Sequence, residues 1–175
     1  AIESTAKIQT VIFDKTGTLT KGEPSVTDVV AIGLAENEVL RLAAVVEKNS
    51  EHPLGEAILK GAKDKGLDLP DADSFNAIPG HGVEANVEGK TILLGNRLLM
   101  ALRHIDIGSL MGKPEALEKQ GKTVMFVAAD NLPIGLIAVA DTLKENSAAA
   151  VDSLHRMGIQ VAMITGDNKR TAQAI

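Results

Sequence analysis

Near each end of the chain an apolar run stops on a loop of hydroxyls and glycine, and this pairing restricts the fold more than any other feature. Near the start, Val11 to Phe13 lead into Asp14, then Lys15, Thr16, Gly17 and Thr18. Near the finish, the run Ile159 to Ile164 leads into Thr165, Gly166 and Asp167. Reactive groups in open parallel sheets collect just beyond the carboxyl ends of strands. Two such strand ends, far apart in sequence, predict a parallel α/β domain built from both ends of the chain. What lies between is then an insertion. The predicted segments are 1–21 and 139–175 for the α/β domain and 22–138 for the insertion.

The outer domain is read as a buried strand over Ile8–Phe13, a helix over Lys144–Met157, a strand over Ile159–Ile164 and a helix from Asn168 onward. A second strand is predicted at Val26–Ile32. Inside the insertion, Val39, Leu40, Ala43 and Val46 recur at helical spacing and predict a helix over Glu36–Lys48. A second helix is predicted over Ser50–Lys65, with Pro53 in its first turn, where a missing N–H costs little, and Gly66 as its stop. From Phe75 onward the pattern changes to short strands. One hairpin is predicted between Val83–Val87 and Thr91–Leu94, another between Val124–Ala128 and Ile134–Ala140. Short helices are predicted at Arg97–Ala101 and Lys113–Lys119. The insertion therefore reads as an α+β unit with an antiparallel sheet. So few strands in the outer domain predict that the chain is a fragment.

Composition bounds what remains. The 175 residues are 45% apolar but only 2% aromatic, so the core is mostly aliphatic, with Phe75 expected inside it. Without cysteine there is no disulfide framework and no thiolate zinc site. A net charge of -5 argues against a nucleic-acid binder. No apolar run approaches the roughly 18 residues of a membrane-spanning helix, so the chain is expected to be soluble.

Read from the residues alone, Asp14 can be a nucleophile, a metal ligand or a helix cap. Its neighbours supply backbone N–H groups, hydroxyls and one cation, the groups that hold a phosphate. A carboxylate nucleophile attacking a phosphoryl group forms an aspartyl-phosphate. Three segments of the insertion are ambiguous one at a time: Glu47 with Ser50, Glu51, His52 and Pro53; Gly80 and Gly82 around His81; and Gly95 with Asn96. His104 and His155 read as surface residues, and Asp141 as a helix N-cap or a phosphate neighbour.

The string Asp14–Thr20, "DKTGTLT", resembles the phosphorylation motif of P-type ATPases, and "MITGDN" resembles that family's second phosphorylation motif. The resemblance implies a haloacid-dehalogenase-like fold and phosphorylation of Asp14 by ATP, with Lys15, Thr16, Thr165, Gly166 and Asp167 around it. The three insertion segments together resemble the nucleotide-binding domain of the heavy-metal branch. That likeness implies that Glu47 and His52 meet adenine, with Ser50, Glu51, Pro53, Gly80, Gly82, Gly95 and Asn96 around them. It also implies that Asp141, in "DTLK", approaches the phosphates. Magnesium is expected on Asp14 and the Thr16 carbonyl, too few oxygens for a strong site. Related phosphatases carry a second Asp where this chain has Thr16. A threonine hydroxyl is a poor general acid at neutral pH, so the phosphoenzyme is expected to persist.

The resemblance covers nearly the whole chain but lacks the membrane helices, the actuator's Gly-Glu segment and the downstream lysine and "GDGxND" motif. The expected parent is an exporter of heavy-metal ions, copper(I) first, with zinc, cadmium or silver behind it. The expected partners are ATP and ADP, the parent's transmembrane and actuator domains and a metal chaperone, on the cytoplasmic side of a membrane. The fragment is expected to be a monomer that binds nucleotide and is nearly inactive in phosphorylation. The alternatives are a free-standing phosphatase of the same superfamily and a non-catalytic nucleotide-binding module.

Overall fold

The computed structural model describes residues 8–50 and 52–165. In chain order the elements are β1 (Thr10–Asp14), β2 (Thr20–Ala31), α1 (Glu36–Glu47), α2 (Pro53–Asp64), β3 (Ser74–Ile78), β4 (Gly82–Val87) and β5 (Lys90–Gly95). There follow α3 (Arg97–Leu102), α4 (Lys113–Lys119), β6 (Thr123–Ala129), β7 (Leu132–Leu143), α5 (Ser147–Arg156) and β8 (Gln160–Ile164). The predicted final helix lies outside the described residues.

The strands form two sheets. β1 and β8 pair in parallel, Asp14 opposite Ile164, so both strand ends open on one edge. The other six pair antiparallel in the order β2-β7-β6-β5-β4-β3. Both faces of this larger sheet are covered. Ile92, Leu94, Met125, Val127 and Ile137 point to the face under α1 and α2. Their strand neighbours Leu93, Phe126, Ala128 and Leu136 point the other way, onto Leu99, Met100 and Leu117 of α3 and α4. Successive side chains alternate faces, so strands buried on both sides read as unbroken apolar runs. This explains "LPIGLIAVA" in β7. Each fully buried Leu or Ile there stabilises the fold by roughly 1.5–3 kcal/mol.

Three expectations need correction. First, β1 is not a buried strand: Ile12 is 59% exposed and Ile164, at the end of β8, is 64% exposed. Among the described residues only these two strands form that sheet, whereas parallel strands are ordinarily covered on both faces. Second, β2 begins at Thr20, six residues ahead of the expected Val26, and β7 runs on to Leu143. The two continue as a ribbon, Thr20 opposite Leu143 and Pro24 opposite Asp141. β2 is an edge strand, so Pro24 needs no ladder N–H. The expected boundaries at 21/22 and 138/139 both fall within this ribbon, and the helix expected from Lys144 starts at Ser147. Third, Phe75 is not core. It lies on the edge strand β3 and is 36% exposed.

Candidate functional site

Asp14 ends β1 with its backbone still extended, and its side chain accepts no capping hydrogen bond from the turn that follows. It is exposed, as is Thr16. The helix-cap role is therefore not the one Asp14 plays. The turn Lys15–Leu19 is broken at Thr16 and Gly17, the latter at φ 75°. The parallel register places Thr165 one residue past Ile164, beside the carboxyl end of β1. Gly166 and Asp167 lie outside the described residues.

What holds this loop is a contact across the whole chain. The buried Thr20 hydroxyl lies 2.5 Å from Asp141 Oδ2 and 3.0 Å from the Lys15 carbonyl. The Gly22 N–H donates to Asp141 Oδ1 at 3.0 Å. The Lys144 ammonium donates to the Gly17 carbonyl at 2.5 Å, and the Ser147 hydroxyl donates to the Leu19 carbonyl at 2.6 Å. Asp141 is thus not a helix N-cap. It is a strand residue that ties the returning chain to the loop bearing Asp14.

The second site is a cavity of about 400 Å³ in the insertion. It is bounded by the end of α1, the start of α2, the β3–β4 turn, the β5–α3 junction and the first residues of β6. Glu47, Ser50, His52, Gly80, Gly82, Gly95 and Asn96, from three separate motifs, all line it. Pro53 does not line it but starts α2, and Glu51 lies outside the described residues. The sequence reading missed His81, Thr123, Val124 and Met125, which complete the walls. The last three are ordinary strand residues with no local signal, because only the sheet register delivers them.

The polar groups of this cavity are fixed by their neighbours. His52 is the N-cap of α2, its Nδ1 accepting from the Leu54 N–H at 3.2 Å. A neutral His52 therefore carries its proton on Nε2. His81 is set the opposite way, with Nδ1 2.7 Å from the Pro79 carbonyl. That carbonyl can only accept, so Nδ1 holds the proton and Nε2 is the free acceptor. Asn96 caps α3 through Oδ1, which accepts from Leu99 N–H at 3.0 Å, and its Nδ2 donates to the Gly80 carbonyl at 2.9 Å. Its amide is a brace holding the β3–β4 turn.

The glycines act by close approach. A Cβ on Gly82 would lie 2.1 Å from the Leu94 carbonyl oxygen, and one on Gly95 would lie 2.3 Å from the His81 carbonyl oxygen. Gly82 and Gly95 are register partners, so two bare Cα atoms let β4 and β5 close behind the cavity. This is a packing role.

Glu47 closes the cavity at the end of α1. It is 3% exposed, and its Oε2 is buried without a hydrogen-bond partner, against the bare Cα of Gly55. Burial pushes its carboxyl above the usual carboxylate range, opposed by a hydrogen bond from Ser50 and by the nearby His52.

Residues 8–175 match the family described as haloacid dehalogenase-like hydrolase. The chain belongs to that family. Over 99% of its length it is 48% identical to the copper-exporting P-type ATPase of Bacillus subtilis. Its fold superposes at a TM-score of 0.90 on a zinc-transporting PIB-type ATPase in the E2.Pi state, 38% identical over 99% of the chain. It also matches the catalytic domain of the CPx-ATPase CopB-B, a structure titled for its conformational changes on nucleotide binding. That match has a TM-score of 0.67 at 26% identity and covers 98% of this chain and 59% of the other. This member of the haloacid dehalogenase-like family thus resembles the cytosolic domains of heavy-metal P-type ATPases along its length. It spans 22% of the Bacillus relative and 28% of the zinc transporter. Among the described residues no helix is long and apolar enough to cross a membrane.

Proposed function

We propose that this chain is the ATP-binding and phosphorylation segment of a P-type ATPase exporting heavy-metal ions, copper(I) foremost. It would work on the cytoplasmic side of the membrane with the parent's transmembrane and actuator domains. The observation that carries this reading is the convergence of Glu47, His52, Gly80, Gly82, Gly95 and Asn96 on one cavity. About 400 Å³ suits a nucleoside better than a whole nucleoside triphosphate, and it falls in the range of small-ligand sites. The identity to copper exporters favours copper, and the zinc transporter's structural likeness makes zinc the second ion.

In this mechanism the cavity holds the base and sugar, and the triphosphate leads out of it. Asp14 attacks the γ-phosphorus through a carboxylate oxygen, forming an O–P bond as the bond to the departing ADP oxygen breaks. Lys15, Gly17 and Thr165 line the place where the phosphoryl group arrives. Asp14 and Thr16 are exposed residues, and a carboxylate and a backbone carbonyl are the kinds of oxygen magnesium takes alongside substrate phosphates. Bound there, magnesium would neutralise phosphate charge. Thr16 supplies no acid for rapid hydrolysis, which supports a pump over a phosphatase.

Calorimetric titration with ATP, ADP and AMP tests this assignment. Among the described residues no lysine or arginine lines the cavity, so its affinity should come from the nucleoside. AMP should bind within about tenfold of ATP, a difference of roughly 1.4 kcal/mol, and magnesium should change little. Binding that needs the γ-phosphate or magnesium would contradict the nucleoside-anchored site and favour the phosphatase.

A further inference from the structure

We infer that Met125 is the platform on which the nucleobase lies, its thioether packed against the face of the ring. The inference rests on the nucleotide reading of the cavity and adds to it a residue that none of the three sequence motifs contains.

The floor of the cavity has no phenyl or indole ring to stack on. The chain has three phenylalanines and no tryptophan or tyrosine. Phe13 is in β1, Phe75 in the edge strand β3, and Phe126 packs on the opposite face of the large sheet with Leu99 and Met100. None of these three rings lines the cavity. The two imidazoles that do line it belong to its walls. His52 is held at the start of α2 by the Leu54 N–H, and His81 in the β3–β4 turn by the Pro79 carbonyl.

The cavity is bounded by the end of α1 and the start of α2, so it lies on the sheet face that these helices cover. Val83 of β4 and Met125 of β6 belong to the cluster on that face, and both line the cavity. Val83 stands opposite Leu94, and Leu94 opposite Val127. Met125, two residues before Val127, points to the same face, one step nearer the start of β6 where the cavity opens. Exposure follows the same division. Leu94 and Val127 do not line the cavity and are 0% exposed, whereas Val83 keeps 6% and Met125 9%. On its far side Met125 is closed by its register partner Ile137 of β7. What remains open of Met125 is on the cavity side.

With Leu54 and Ala77, these two residues give the cavity an apolar floor, and Ser50, His52 and Asn96 stand around it. A nucleobase has apolar faces and a polar edge. It fits such a site with a face on the floor and its edge to the walls, the few polar groups fixing its orientation. Met125 is the only side chain of the floor with a polarizable sulfur, and its unbranched chain can follow a flat ring that Val83 or Leu54 meets at fewer points.

The test is a methyl NMR titration of the whole chain, labelled on its methionine methyl groups. The probes are AMP and, as a ligand without the ring, ribose 5-phosphate. There are five methionines, and the Met125 signal is the one missing from Met125→Leu. Ring current moves a methyl group held over a ring face upfield. AMP should move Met125 upfield, saturably and with the same Kd as the backbone amides of the cavity. Ribose 5-phosphate should leave it in place, and the exposed Met111 and Met157 should not respond to either probe. Met125→Leu keeps the apolar volume and removes the sulfur. By calorimetry it should bind AMP and ATP roughly three- to tenfold more weakly, by the same factor for both because the platform touches the base and not the phosphates, with Tm nearly unchanged.

Saturable AMP binding that leaves the Met125 methyl unmoved, or moves it downfield, overturns the platform while the nucleotide site stands. So does an equal shift with ribose 5-phosphate, or a folded Met125→Leu that binds AMP as tightly as the wild type. Absence of AMP binding at every cavity residue overturns the platform and the nucleotide site together.

Discussion

Replacing Asp14 by asparagine is expected to abolish phosphoenzyme formation while leaving nucleotide affinity within about twofold of wild type. The two halves of this expectation come from two separate places. Asp14 lies at the end of β1, its side chain engaged in no cap, and the cavity proposed for the nucleotide is lined by residues of the insertion alone. A carboxamide keeps the shape but loses the anionic nucleophile, and removal of a covalent nucleophile costs roughly 10³-fold or more. The assay is acid-stable label from γ-labelled ATP, in a chain extended to the full length of the curated relatives, beside calorimetry on the present chain. Loss of ATP binding in Asp14→Asn would show that the two sites are not separable.

Gly82→Ala is expected to be the most damaging single methyl group in the insertion. The new Cβ would meet the Leu94 carbonyl oxygen at 2.1 Å and the Gly95 Cα at 2.6 Å, at a backbone φ of 152°. Both obstacles are main chain of the neighbouring strand, so no side-chain rotation relieves them. Backbone strain and overpacking together should cost about 3 kcal/mol or more, a fall of roughly 10 °C in Tm for a chain of this size. Gly80→Ala is the control from the same turn. Its φ of 74° is unfavourable for alanine, but a Cβ there meets nothing within 4 Å. The cost should be near 1 kcal/mol. Thermal melts of the two variants separate the packing role from the conformational one. Equal losses would contradict the close-approach account.

How much of this was legible in the sequence depended on whether the cause was local. The α1 and α2 helices, and the hairpins around Glu88–Gly89 and Asp130–Asn131, carry their own periodicity and turn residues, and they form where expected. The first six residues of β2 and the last residues of β7 are different. Lys21, Gly22, Glu23 and Pro24 have no strand preference; Thr20 and Pro24 pair with Leu143 and Asp141 of β7, and the residues between them bulge out of register, with Gly22 at φ 79°. The Thr20–Asp141 contact joins residues 121 apart and is invisible to any window. Asp141 could therefore not be foreseen as a strand residue whose carboxylate accepts from Thr20 and Gly22. Phe75 looked like core by residue type, but an edge strand offers no cover. In the cavity the three motifs could be seen one by one. Their convergence, the opposite tautomers of His52 and His81, and the unpartnered oxygen of Glu47 are products of packing.

The most direct measurement is an amide NMR titration of the chain with ATP in the absence of magnesium. The account predicts saturable shifts at Glu47, His52, Gly80, Gly82, Gly95 and Asn96, reproduced by AMP, with Asp14 and Thr165 nearly unmoved. Shifts confined to Asp14, Gly17 and Thr165, or a requirement for magnesium before any pocket residue responds, would contradict it.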